Sequence, residues 1–223
     1  MAVPFTLKYQ GKRPYLDQSR YSAVVGSRTR RPPDEARRMI LDAAAELLAK
    51  GGVAAVQVRQ VAAAVGMTDA GVTHHFGNRE QLLAELLRHG GRRLRTALED
   101  VVGAWLDRDA DLLELVESLE GTYRRGGYGE LAVAMHAAGW RDPGKGMLNP
   151  VVDALHGLRP HGSSIDDTRL AVAALHQAMA TESLYGTAFR RSAGMTGAAA
   201  DDSSAQVSWW ARQLQLALGI TTP

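Results

Sequence analysis

From Asp34 onward the apolar residues of this chain recur at three- and four-residue spacing. Ala36, Met39, Ile40, Ala43, Ala44, Leu47 and Leu48 form the first such stripe. That is the period of an α-helix with one buried face. No segment of the body sustains a two-residue alternation, and no hairpin dipeptide joins two apolar runs. The spacing therefore predicts an all-α chain. Asp34 and Glu35 suit the positive end of the first helix, and Gly51–Gly52 closes it. A second short helix is expected over about Val58–Val65, ended by Gly66. Thr68 caps a third over about Asp69–His75, and Asn78 with Gln81 makes a capping box for a fourth. The fourth runs through Leu82, Leu86, Leu94, Leu98 and Val102, with Gly90–Gly91 placed to bend it. Further helices are expected near 109–125, 129–141, 144–157, 166–191 and 202–218.

Composition narrows the function. Of 223 residues, 45% are hydrophobic and 22% charged, as in a globular protein with a sizeable core. No apolar run reaches the ~18 residues that span a bilayer, so no membrane partner is expected. Lys8, Lys12 and Arg13 interrupt any apolar segment near the N-terminus, so no secretion signal is expected. Cysteine is absent, which removes disulfides and thiolate sites. A cytoplasmic location follows as the expectation. The histidines show no metal-ligand spacing: His156 and His161 flank a Gly/Pro turn with no third ligand. Neither a phosphate-binding glycine loop nor a nucleophile elbow occurs. No enzyme, metal or cofactor is expected.

The charge is unevenly placed. Residues 1–33 hold seven Lys and Arg against a single acid, Asp17, and are punctuated by Pro4, Pro14, Pro32 and Pro33. A basic, mostly extended arm suggests a polyanionic partner; a solvated tail is the alternative. Beyond the arm, the informative stretch is Val58–Phe76, VRQVAAAVGMTDAGVTHHF. Two short helices meet at Gly66. Ala62 is small where they would cross, and Val61, Val65, Met67 and Val72 supply a shared core. This is a helix-turn-helix pattern, whose second helix would present Asp69, Ala70, Thr73 and His74 to a major groove.

The segments ARRMILDAAAELLAKGGVAAV, VRQVAAAVGM and HHFGNREQLLAELL resemble the DNA-binding domain of the TetR family of bacterial transcriptional regulators. The resemblance covers about Asp34 to Leu87, and HHF-G-N-R-E-x-L-L is its most specific part. It implies a three-helix helix-turn-helix domain at 34–80 and a helical ligand-binding and dimerisation domain at 81–223. It also implies a homodimer on a pseudo-palindromic double-stranded operator, released by a small-molecule effector, hence a repressor found on the nucleoid when bound.

Carried over residue by residue, the resemblance implies that Arg59, His75 and Arg79 reach DNA, with Asn78 capping beside them and Phe76 in the core. Thr68, Asp69, Gly71, Thr73 and His74 complete the expected DNA-binding set. Arg28, Arg30 and Arg31 would enter an adjacent minor groove. Three positions depart from the family pattern. Thr73 stands where a tyrosine is usual, Asp69 where a neutral or basic residue is usual, and Gly71 where threonine is common. These departures keep a second reading open: a ligand-binding or interaction protein of this fold that has lost specific DNA binding.

For the C-terminal domain, bulky or polar residues on otherwise apolar helices are candidate contacts for a largely apolar effector. They are Tyr123, Met135, His136, Trp140, Met147, Leu148, His176, Met179 and Tyr185. Each is also a plausible core residue. The last two long helices would form the dimer interface through Leu175, Ala178, Leu184, Trp209, Trp210, Gln213 and Leu216, with intramolecular packing as the alternative for either tryptophan.

Overall fold

Pro33 at the first helical position, followed by Asp34 and Glu35, starts the first helix where the apolar stripe begins. The computed structural model describes residues 32–141 and 146–220. Arg28, Arg30 and Arg31, and with them the expected arm, lie outside the described residues. Helix α1 covers Pro33–Ala55, and its regular part stops at Gly51–Gly52, where Gly52 takes φ 64°. It is followed by α2 (Val58–Ala64), α3 (Asp69–Phe76), the long α4 (Arg79–Asp107), α5 (Leu112–Arg124) and α6 (Tyr128–Ala137). Then come α7 (Asn149–Gly157), α8 (Ile165–Thr181), a π-helical turn (Glu182–Gly186), α9 (Thr187–Ser192), α10 (Ala198–Asp201) and α11 (Ser204–Leu218). No strand occurs among the described residues, and the chain is all-α. None of the described helices is long and apolar enough to cross a membrane.

The expected caps form. Thr68 Oγ1 accepts from the Gly71 N–H at 3.1 Å, and Asn78 and Gln81 exchange hydrogen bonds in a capping box.

One expectation about helix continuity is corrected, the single helix at 166–191. Helix α4 runs unbroken through Gly90. That glycine makes room for a neighbour: a Cβ there would lie 2.1 Å from the ring of Tyr128. The expected helix at 166–191 is divided by the π-helical turn. Its wider winding brings the Glu182 carboxylate against Gly186, where a Cβ would lie 2.1 Å from it. Arg190 pairs with that carboxylate at 2.5 Å and also donates to the Ala200 carbonyl at 2.8 Å. A buried charge persists only when so paired.

Two apolar cores hold the helices. One joins α1–α4, including Ile40, Leu48, Val61, Val72 and Leu86. It also takes Leu131 and Met135 from α6, so a helix from the later part of the chain completes the packing beneath the helix-turn-helix. The other joins α4, α5, α7, α8 and α11 around Leu98, Leu115, Leu155, Val172 and Leu214. Each fully buried leucine contributes about 1.5–3 kcal/mol of transfer free energy.

Candidate functional site

Helix α3 is short, so its placement depends on contacts at both ends. Thr68 caps its start. Val72 and Phe76 bury its inner face. At its end Arg37, from α1, lies 4.3 Å from the centroid of the Phe76 ring, donates to the His75 carbonyl, and sits 3.9 Å from Glu85. One guanidinium thus ties α1, α3 and α4 together. The sequence reading did not single out Arg37. The signal available was a cation facing an aromatic whose partner lies 39 positions away.

The outer face of α3 carries Asp69, Ala70, Thr73 and His74, all exposed, with Arg59 exposed on α2. Among the described residues, the side chains of Arg59, Asp69, Thr73 and His74 make no hydrogen bond or ion pair. Gly71 packs beside Met67 and Thr68. His75 is half-buried; burial first, then His74 and Arg37, hold its pKa below the ordinary histidine value. Arg79 is placed differently from the rest. Its Nε donates to the Val56 carbonyl at 2.8 Å and its Nη2 to the Val53 carbonyl at 2.7 Å. Its guanidinium closes the turn between α1 and α2. The Thr68 oxygen is likewise engaged in its cap.

A cavity of about 1240 Å³ opens between α1, α4, α5, α6 and α8. Of the nine expected ligand contacts it brings together Tyr123, Trp140, Met147 and His176. Met135 is buried in the core beneath the helix-turn-helix and Met179 in the other core, with Leu148 packed against the latter. His136 is exposed, and Tyr185 lies on a separate groove of about 510 Å³ between α8, the π-helical turn, α9 and α11. Helical spacing shows which residues are amphipathic but not which neighbouring helix they meet.

The Tyr123 hydroxyl and His176 Nδ1 are hydrogen-bonded, with their rings edge to face at 5.0 Å. Burial pushes the Tyr123 pKa up and the His176 pKa down. Both groups are therefore neutral near pH 7. Wall residues not anticipated from the sequence include Asp42 on α1, His89 on α4 and Tyr128 on α6. His89 Nε2 lies 3.2 Å from Asp42 Oδ1, and burial lowers its pKa against the opposing pull of Asp42. Apolar lining comes from Leu87, Leu94, Trp140 and Met147.

The expected interface residues divide. Leu175 and Trp210 are buried in the chain's own core, and Ala178 packs against it. Leu184 is half-buried, while Trp209, Gln213 and Leu216 are exposed. Leu170 on α8, Phe189 on α9 and Leu216 on α11 are 69%, 67% and 75% exposed, large apolar side chains left in water.

Comparison with known proteins places this architecture. Residues 40–86 match the model of the bacterial regulatory proteins of the tetR family. The HTH-type transcriptional repressor KstR2 of Rhodococcus jostii is 36% identical over 80 residues, which cover 36% of this chain and 39% of that protein. An HTH-type transcriptional regulator of Mycobacterium bovis is 33% identical over 100 residues, covering 38% of this chain and 53% of that protein. The chain thus spans about two fifths to one half of the length of these relatives. Among solved structures, a putative TetR-family regulator from Mesorhizobium loti superposes with a TM-score of 0.56 at 18% identity, over 85% of this chain and 98% of that one. That likeness extends the shared fold beyond the helix-turn-helix into the C-terminal helices. Sequence match and helix-turn-helix geometry agree over residues 40–86, which are similar to the bacterial regulatory proteins of the tetR family, and the fold beyond them is shared with the solved structure.

Proposed function

We propose that this protein is a ligand-responsive, sequence-specific DNA-binding transcriptional regulator: a homodimeric, cytoplasmic repressor that a small molecule releases from its operator. The observation that carries the reading is the outer face of α3. Three unpaired side chains there, Asp69, Thr73 and His74, are held on a helix fixed at both ends, with Arg59 unpaired on α2 beside it, and α1 and α4, which pack on α3, also line the cavity. Arg59, Asp69, Thr73 and His74 read or grip DNA, with Gly71 beside them on α3. Asp69 suits the amino group of a cytosine better than a phosphate. His75 borders the site, and Arg28, Arg30 and Arg31 add phosphate contacts from the arm. Two copies joined through α8 and α11 would place two such helices on a pseudo-palindromic site. An effector that prefers the spacing unsuited to DNA weakens binding, typically by 1–3 kcal/mol of coupling.

The test is fluorescence anisotropy of the protein on DNA from upstream of its own gene, against unrelated competitor, across a salt series. The expected result is steeply salt-sensitive binding with a specificity ratio above about a thousand. His74→Ala and Thr73→Ala should each reduce that ratio. Equal, weak binding to every fragment in a genome-wide selection would overturn the reading in favour of a binding protein of the same fold.

A further inference from the structure

The cavity wall has an uncharged polar point in an otherwise balanced surround. Arg92, Arg93 and Arg125 on its wall are matched by Asp42, Glu46 and Asp100. Tyr123 and His176, also on the wall, bond to each other, and burial lowers the His176 pKa. Its Nε2 has no partner among the described residues and is not among the atoms sealed from solvent. Whichever of the two donates in the shared bond, one proton and at least one lone pair remain, and the pair carries no net charge. A hydroxyl or carbonyl oxygen satisfies that arrangement. A carboxylate accepts only and would lose its hydration beside a neutral partner; an ammonium donates only and suffers the same loss.

The cavity's volume, about 1240 Å³, exceeds the usual range for small-molecule sites, and Leu87, Leu94, Trp140 and Met147 make part of it apolar. Resting on the effector reading above, we infer that the cavity takes a long or polycyclic apolar compound bearing a neutral hydroxyl or carbonyl, which the Tyr123–His176 pair recognises. Tyr123 and His176 thus set specificity by rejecting charge at this end of the ligand.

The experiment uses the full chain and Nile red, a neutral fluorescent probe, displaced by 1-decanol, decanoate or decylamine at neutral pH. The expected result is that decanol displaces the probe at roughly tenfold lower concentration than either charged chain, the size expected for one unpaired buried polar group. Tyr123→Phe and His176→Phe should each bring the three compounds close together, and His176→Gln, which keeps a donor, should restore much of the preference. If His176→Phe fails to fold, Tyr123→Phe alone reads the same effect with the ring retained. A preference for decanoate or decylamine, equal displacement by all three, or no uptake of Nile red would each overturn the inference. The anisotropy assay on the same protein separates the two readings. Specific DNA binding without alcohol preference removes the ligand class and leaves the regulator. Alcohol preference without specific DNA binding does the reverse.

Discussion

Around α3 the polar groups that position the helix are already engaged: Thr68 with Gly71, Arg37 with the His75 carbonyl, Arg79 with Val53 and Val56. The side chains turned outward are the ones left unpaired. The cavity wall is arranged the other way. Tyr123 and His176 face it with a donor unspent, and the hydroxyl of Tyr128 is buried without a hydrogen-bond partner. A surface that must meet a rigid duplex gains from a fixed scaffold. A cavity that must accept a foreign molecule can keep polar groups in reserve.

The two regions share α6, so a substitution there should disturb both. Leu131 is fully buried in the core beneath the helix-turn-helix although α6 also borders the cavity through Tyr128. Leu131→Ala should cost about 2–5 kcal/mol in chemical denaturation. Operator affinity should fall with it, even though Leu131 lies far along the chain from α3. Leu155→Ala, in the other core, should lose similar stability. At equal folded fraction, it should leave the affinity of the folded protein closer to wild type. Equal loss of affinity from both would mean that the two cores act as one.

Arg79 sharpens the same contrast. If its guanidinium closes the α1–α2 turn, Arg79→Met should cost roughly 1–3 kcal/mol by stranding two carbonyls. The salt dependence of DNA binding should keep its slope. Arg59→Ala, by contrast, should lower that slope by about 0.9 with little loss of stability. A slope reduced by Arg79→Met as well would make Arg79 a phosphate contact in addition to a structural one.

What was legible in the sequence follows the range of the forces involved. Helix starts were readable because caps act within three residues: Thr68, Asn78 and Gln81 behave as their spacing implied. The helix-turn-helix pattern marked Thr73 and His74 as outward-facing, and the resemblance marked Arg59. Arg37 was not readable, because its partners Phe76 and Glu85 are brought to it only by tertiary packing. The packing role of Gly90 was not readable, because a glycine inside a helix is ambiguous until the neighbouring ring of Tyr128 is known. Of the cavity, Tyr123 and His176 were visible as polar residues on apolar helices, but Asp42, Ala45 and Ala49, which α1 contributes to its wall, were not. Those three lie on a helix whose other face was the only one the apolar stripe could announce. The division at the π-helical turn rests on a Glu182–Arg190 pair that helical spacing alone does not reveal.

The pH response should separate the regions next. His176 is neutral because burial lowers its pKa below the ordinary 6.5. In the unfolded chain it takes up a proton as pH falls through that value, while the folded chain resists. Stability is therefore fully present above about pH 6.5 and declines as the pH falls toward the lowered folded-state value. The slope from this group is bounded by one proton, about 1.4 kcal/mol per pH unit. His89 and His75 act in the same direction. His176→Gln should flatten part of the acid decline measured by denaturation across pH. An unchanged profile would assign the decline to the other two histidines and weaken the case for a neutral His176 at the cavity.

Thr68 offers the smallest effect and the finest division between scaffold and reading surface. Its oxygen accepts the Gly71 N–H at 3.1 Å, so Thr68→Ala should cost about 1 kcal/mol, the usual worth of such a cap. Thr68→Ser keeps the oxygen and should restore most of that stability. DNA affinity distinguishes the roles. If Thr68 acts only by fixing the start of α3, affinity should track the cap: reduced in Thr68→Ala and regained in Thr68→Ser. If the threonine methyl also packs against a thymine methyl in the groove, Thr68→Ser should regain stability but not specificity at one base position. That second outcome would move Thr68 from the scaffold to the reading surface.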